Sequence, residues 1–91
     1  MTRCKSSGLK TADEAIKATA GVLRGVGLSA GAAAGTLVLY DHASAASGVV
    51  IAKIQTGVNS SKELVGLNIN CSNGIYADVT GAGVEFIVYY E

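Results

Sequence analysis

The chain has no proline and no tryptophan, only two cysteines, one histidine and little charge. Cys4 and Cys71 allow at most one disulfide, and their separation fits neither a disulfide framework nor a paired-cysteine metal site. Both read as free thiols, Cys4 in a loose terminal arm and Cys71 near a strand end. One histidine and two distant cysteines are too few ligands for zinc, so no metal or other cofactor is expected. Seven basic residues cancel seven acidic ones. Nucleic-acid binders display a basic patch or stripe. Here Asp13 and Glu14 interrupt Arg3, Lys5, Lys10, Lys17 and Arg24, and only Lys53 and Lys62 follow. That balance argues against nucleic acid as a partner. No apolar run reaches the roughly 18 residues of a membrane helix. The basic N-terminus has no continuous apolar segment behind it, so neither a membrane span nor a signal peptide is expected.

What the chain has is glycine and aliphatic side chain. There are twelve glycines, and hydrophobic residues make up 49% of the chain against 15% charged. A single domain of 91 residues buries only about 60–70% of the surface its unfolded chain exposes. So much apolar side chain with so little charge to cover it implies apolar surface buried against another chain. A homo-oligomer is expected on this ground.

The stretch Gly35-Thr36-Leu37-Val38-Leu39-Tyr40-Asp41 and its answer, Val49-Val50-Ile51-Ala52-Lys53-Ile54, organise the pattern. Both are short and aliphatic, and His42-Ala43-Ser44-Ala45-Ala46-Ser47-Gly48 between them is a loop, so they read as antiparallel strands. Both faces of this hairpin carry apolar groups, as a central or contact strand does. Residues 14–19 read as a strand; the competing reading is a short helix capped by Thr11 with Glu14 three residues on. Residues 22–29 alternate, with Val22, Arg24, Val26 and Leu28 on the face expected to be buried. Gly25 and Gly27 on the other face leave room for another backbone or ring. Residues 64–71, 75–80 and 84–90 complete the set, with Ser72-Asn73-Gly74 as the clearest turn signal. Leu67, Ile69 and Cys71 share one face; Ile75, Ala77 and Val79 another; Val84, Phe86, Val88 and Tyr90 a third.

The expected fold is all-β: a small antiparallel β-sandwich or jelly-roll-like barrel of about seven strands, mostly joined by hairpins. Residues 1–12 form an extended N-terminal arm, mobile alone, and residues 13–91 the β-sandwich domain.

No catalytic motif stands above this pattern. Gly25-Val26-Gly27 lacks the rest of a dinucleotide fingerprint, and a strand rather than a helix surrounds it. Gly31 and Gly35 have GxxxG spacing without an apolar span to host it. Asp41-His42 is the only Asp/His neighbour pair, but its candidate nucleophiles, Ser44 and Ser47, lie in the same loop. Asp41 is expected to bond the loop backbone. Asp78 and Glu85 fall on adjoining strands and could approach each other. Tyr76, Tyr89 and Tyr90, with Phe86, concentrate aromatic area in the last two strands, without the nearby Arg and Lys of a base-stacking platform.

The segments Val26-Gly27-Leu28-Ser29-Ala30-Gly31, Gly35-Thr36-Leu37-Val38-Leu39-Tyr40-Asp41, Ala43-Ser44-Ala45-Ala46-Ser47-Gly48 and Gly74-Ile75-Tyr76-Ala77-Asp78-Val79-Thr80-Gly81 resemble small proteins encoded among the structural genes of tailed bacteriophages. The likeness covers roughly residues 20–91 and leaves the N-terminal segment outside. It implies a virion structural protein of the capsid decoration (cement) type, on the capsid surface. The implied partner is the major capsid protein, and the implied oligomer a trimer. It supplies no catalytic residues, and an enzyme is not expected. Tyr76, Tyr89, Tyr90, Arg3 and Lys5 are the candidate partner contacts. Two other readings stay open: a tail, fibre or head–tail connector subunit, and a β-sandwich module binding a receptor or carbohydrate. Residues 41–48 and 57–62 would serve the last, but they lack the aromatic side chains a sugar site favours.

Overall fold

An alternating strand buries one face only when a second layer covers it, and this chain folds as two antiparallel sheets packed face to face. The computed structural model describes residues 5–81 and 83–91. Nine strands follow in order: β1 (Lys5–Ser6), β2 (Glu14–Lys17), β3 (Gly21–Ser29), β4 (Gly35–Tyr40), β5 (Val50–Thr56), β6 (Ser61–Leu64), β7 (Ile69–Cys71), β8 (Ile75–Thr80) and β9 (Glu85–Tyr90). One sheet runs β1-β9-β3-β6, with β7 also on β3; the other runs β2-β8-β4-β5. We call them sheet A and sheet B.

Between the sheets lie Leu23, Val26, Leu28, Phe86 and Val88 from sheet A, and Leu37, Leu39, Ile54, Ile75 and Ala77 from sheet B, all buried. The inward faces expected for residues 75–79 and 84–90 are those observed: Ile75, Ala77, Val84, Phe86 and Val88 are buried, and Val79 and Tyr90 pack against them. The hairpin of β4 and β5 is present, with Leu37 opposite Ile54 and Leu39 opposite Ala52.

Three local features depart from simple alternation. In β3 the register slips between Leu23 and Gly25. This bulge turns Leu23 inward, where strict alternation places it outward, and leaves Arg24 half-buried at the slip. The Arg24 guanidinium pairs with the Glu91 carboxylate, and its Nη1 donates to Asn68 Oδ1 at 3.2 Å. Next, the strand expected over residues 64–71 is formed only at its end, as β7, while β6 begins at Ser61, inside the segment 57–62 read as a loop; both pair with β3. Gly66, at φ 72°, takes a left-handed turn between the two, and Leu67 N–H donates to the Arg24 carbonyl at 2.9 Å, opposite the bulge. Lastly, residues 5–10 lie along β9. Lys5 and Ser6 pair with Tyr90 and Tyr89. Ser7 N–H donates to Val88 O, and Lys10 and Phe86 exchange backbone bonds, all at 2.8 Å. Alternation could not reveal this segment, because backbone rather than apolar side chain holds it. β6 and this added strand turn about seven expected strands into nine.

Hairpins do not dominate. Only β4 and β5 are consecutive strands paired within a sheet; β6 and β7 share a sheet without pairing, and the other connections cross between layers. The crossings at one end interlock: a Cβ on Gly35 would lie 2.9 Å from Val84 Cγ2, and one on Gly81 2.5 Å from the Ala34 carbonyl. Gly81 also holds φ 121°, so this position needs glycine for both backbone and space.

Candidate functional site

At the other end, the loop after β4 is tied to the corner between β7 and β8. Asp41 Oδ1 accepts N–H bonds from Asn73 at 2.8 Å and Gly74 at 3.3 Å. These bonds, Asn73's foremost, hold the Asp41 carboxyl below the usual carboxylate range. Asp41 therefore bonds a distant turn rather than its own loop. His42 Nδ1 accepts from the N–H groups of Ser44 and Ala45, each at 3.0 Å. With Nδ1 an acceptor, the ring proton sits on Nε2. The pair thus organises two loops, and in this arrangement neither the carboxylate nor Nδ1 is directed at a serine hydroxyl.

Asp78 does not meet Glu85, because β8 and β9 belong to different sheets. It meets Asp13 instead. Burial first, then the Asp13 charge, push the Asp78 carboxyl up. Asp13 Oδ1 in turn accepts the Val79 N–H at 2.8 Å, so the contact is part of how the segment before β2 docks on β8. Cys71 is a free, buried thiol, and burial foremost pushes it up. Cys4 lies outside the described residues. Among the described residues no group of three or more His, Cys, Asp or Glu side chains is placed to hold a metal ion.

The structure does not gather the candidate contact residues. Tyr76 stands in β8 beside Tyr40, half-buried on the outer face of sheet B. Tyr89 is on the outer face of sheet A, opposite Gly25. Tyr90 turns toward the core, and the Lys17 ammonium lies 6.0 Å from its ring centroid. Lys5 pairs with Tyr90 at the edge of sheet A, and Arg3 lies outside the described residues. These are three separate surfaces.

Two concave surfaces are lined by described residues. One is a groove of about 160 Å³ on the outer face of sheet A, between Ile87 and Tyr89 on one side and Ser61 and Glu63 on the other, with Leu9 at its rim. Its floor is Gly27, where a Cβ would meet only Glu63 Cγ, at 3.7 Å. The groove is the room that the sequence's glycine alternation leaves. The other is a cleft of about 410 Å³ between β5 and β6, lined by Lys53, Ile54, Gln55, Lys62, Glu63 and Leu64. Sequence reasoning missed this one, because it depends on β5 and β6 lying in different sheets on the same side of the sandwich.

Exposed apolar side chains include Leu9 and Tyr89 about the groove, the neighbours Val49 and Val50, the neighbours Leu64 and Val65, and Val58. The geometry thus defines a small two-sheet antiparallel sandwich with concave surfaces and exposed aliphatics. No protein-family model, curated protein or solved structure matches the chain.

Proposed function

We propose that this protein is a bacteriophage capsid decoration (cement) protein, which binds the outer surface of the assembled shell through the major capsid protein and stabilises it. The observation that carries the reading is exposed aliphatic and aromatic surface on a domain with so little charge: Leu9, Val49, Val65 and Tyr89 stand out from the fold. Such surface suits attachment to another protein. The resemblance of residues 20–91 to phage structural proteins supplies the setting. In this reading the protein is a jelly-roll-like sandwich and works as a trimer.

A ligand that binds only the assembled state stabilises that state, by about 3–4 kcal/mol per site at roughly 100–1,000 times its Kd. Many weak sites on one shell sum to avid attachment. With balanced charge, attachment is mainly apolar and only weakly salt-dependent. The test uses particles that lack the protein. Genome retention is measured against temperature, before and after the purified protein is added back. A higher release temperature on add-back supports the cement role. Unchanged retention, with the protein located only at the tail, transfers it to a tail or connector subunit.

A further inference from the structure

We infer that the open side of the sandwich, along β5, accepts an extended acidic segment of a partner protein as an added strand of sheet B. This goes beyond the virion reading, since it holds whatever the partner is.

An edge strand turns half of its backbone N–H and C=O groups away from its neighbour, where only another extended chain satisfies them in series. Each sheet ends in two edges. On the side formed by β1 and β2 the edges are short: β1 has two residues, and β2 has four with a register slip between Ala15 and Lys17. One charge there is matched, Lys10 Nζ lying 2.9 Å from the Glu14 carboxylate, and Lys17 lies over the Tyr90 ring. On the other side β5 has seven residues and pairs only with β4, in unbroken register from Ala52 to Thr56. Among the described residues it is the longest edge strand.

The chemistry beside that edge says what fits. Lys53 and Lys62 line the cleft with Glu63, and among the described residues neither lysine lies within ion-pair distance of a carboxylate. Ile54 and Leu64 form the apolar part of the lining. Ile54 is buried between the sheets, so in a strand laid along β5 the residues opposite Ile54 face the interior, and those opposite Lys53 and Gln55 stand beside these two exposed side chains at the mouth of the cleft. The occupant therefore alternates, with aliphatic side chains toward Ile54 and carboxylates toward Lys53. A second copy of β5 is a poorer fit. It brings another Lys53 to a side that already carries two cations against one carboxylate, and like charges across a strand pair are unfavourable.

The test is an amide-resolved NMR titration of the full chain with two probes, an alternating glutamate–valine octapeptide and its lysine–valine counterpart. The glutamate peptide should shift the amides of β5 and slow their hydrogen exchange. The lysine peptide should bind at least about tenfold more weakly, a difference of roughly 1.4 kcal/mol. Lys53→Glu, an exposed change that leaves the core intact, should reverse the order of the two peptides. Several results overturn the inference: no response of β5 up to about 1 mM peptide, equal response to both peptides, or shifts confined to sheet A. Concentration-dependent shifts of β5 in protein alone, without a peptide response, assign the edge to self-association and overturn it as well.

Discussion

Asp41 accepts the Asn73 N–H at 2.8 Å across a separation of 32 residues in sequence. The bond joins the loop of one sheet to the corner where the chain passes from the other. Because the folded carboxyl is held below its ordinary value, the unfolded state binds more protons in acid. Asp41 therefore adds stability above the ordinary carboxyl value, and that contribution is lost as pH falls through the lowered folded value. Asp41→Asn should reduce stability at pH 7 and flatten its acid dependence. Denaturant midpoints between pH 2 and 6 check this; an unchanged slope would remove Asp41 from the linkage.

Asp78 has the opposite sign. Its carboxyl is raised by burial and by Asp13, so its stabilising effect is full below the ordinary carboxyl value and is lost as pH rises through the raised one. Asp78→Asn removes the repulsion and keeps the Asp13 bond to the Val79 N–H. The variant should melt higher than the parent at pH 7 and match it near pH 3, as scanning calorimetry at the two pH values would show.

The three aromatics of β9 should separate by substitution. Phe86 is 1% exposed, and Phe86→Ala should cost about 3–5 kcal/mol, a large part of a small domain's total. Tyr90→Ala, which removes a ring packed on the core, should destabilise less. Tyr89→Ala, on the outer face, should leave the urea midpoint within experimental error. If Tyr89 serves the shell contact, that variant alone stays folded and loses add-back stabilisation.

Removing residues 1–10 should destabilise the domain, because it strips the strand and backbone bonds that cover β9. The loss should appear as faster amide exchange at Phe86 and Val88. Unchanged protection there would mean that the segment does not hold the edge of sheet A.

Cys71 is 1% exposed and its thiol is pushed up, so little thiolate is available. In a Cys4→Ser variant, a thiol reagent should label the chain only as fast as it unfolds. Rapid labelling in native buffer would show that the β7 corner opens.

Much of this fold was legible in the sequence. The inward sets of residues 75–79 and 84–90, the β4–β5 hairpin and the groove over Gly27 all follow from alternation and missing side chains. What escaped was whatever alternation does not encode. The bulge at Arg24 reverses a face by one residue, and no residue type there announces it. Residues 5–10 dock mainly through backbone bonds, which every sequence carries, with Ser7 Oγ also accepting the Val88 N–H. The Ser72-Asn73-Gly74 signal marked a turn correctly without saying that the turn changes sheets. The tyrosines share a segment of sequence yet reach three surfaces, because β8 and β9 lie in opposite layers and Tyr89 and Tyr90 alternate across β9.

That layer-crossing path also governs when the structure can exist. Lys5 pairs with Tyr90 and Glu14 with Ala77, so strands from the start of the chain wait for partners from its far end. During synthesis β1 and β2 leave the ribosome long before β8 and β9 do, and only the β4–β5 hairpin and the pairing of β3 with β6 and β7 can form before them. Folding is therefore expected to be slow for a domain this small, on the millisecond-to-second scale of sheets built from distant pairings. It must await the emergence of β9, and until then the aliphatic strands are open to any neighbour.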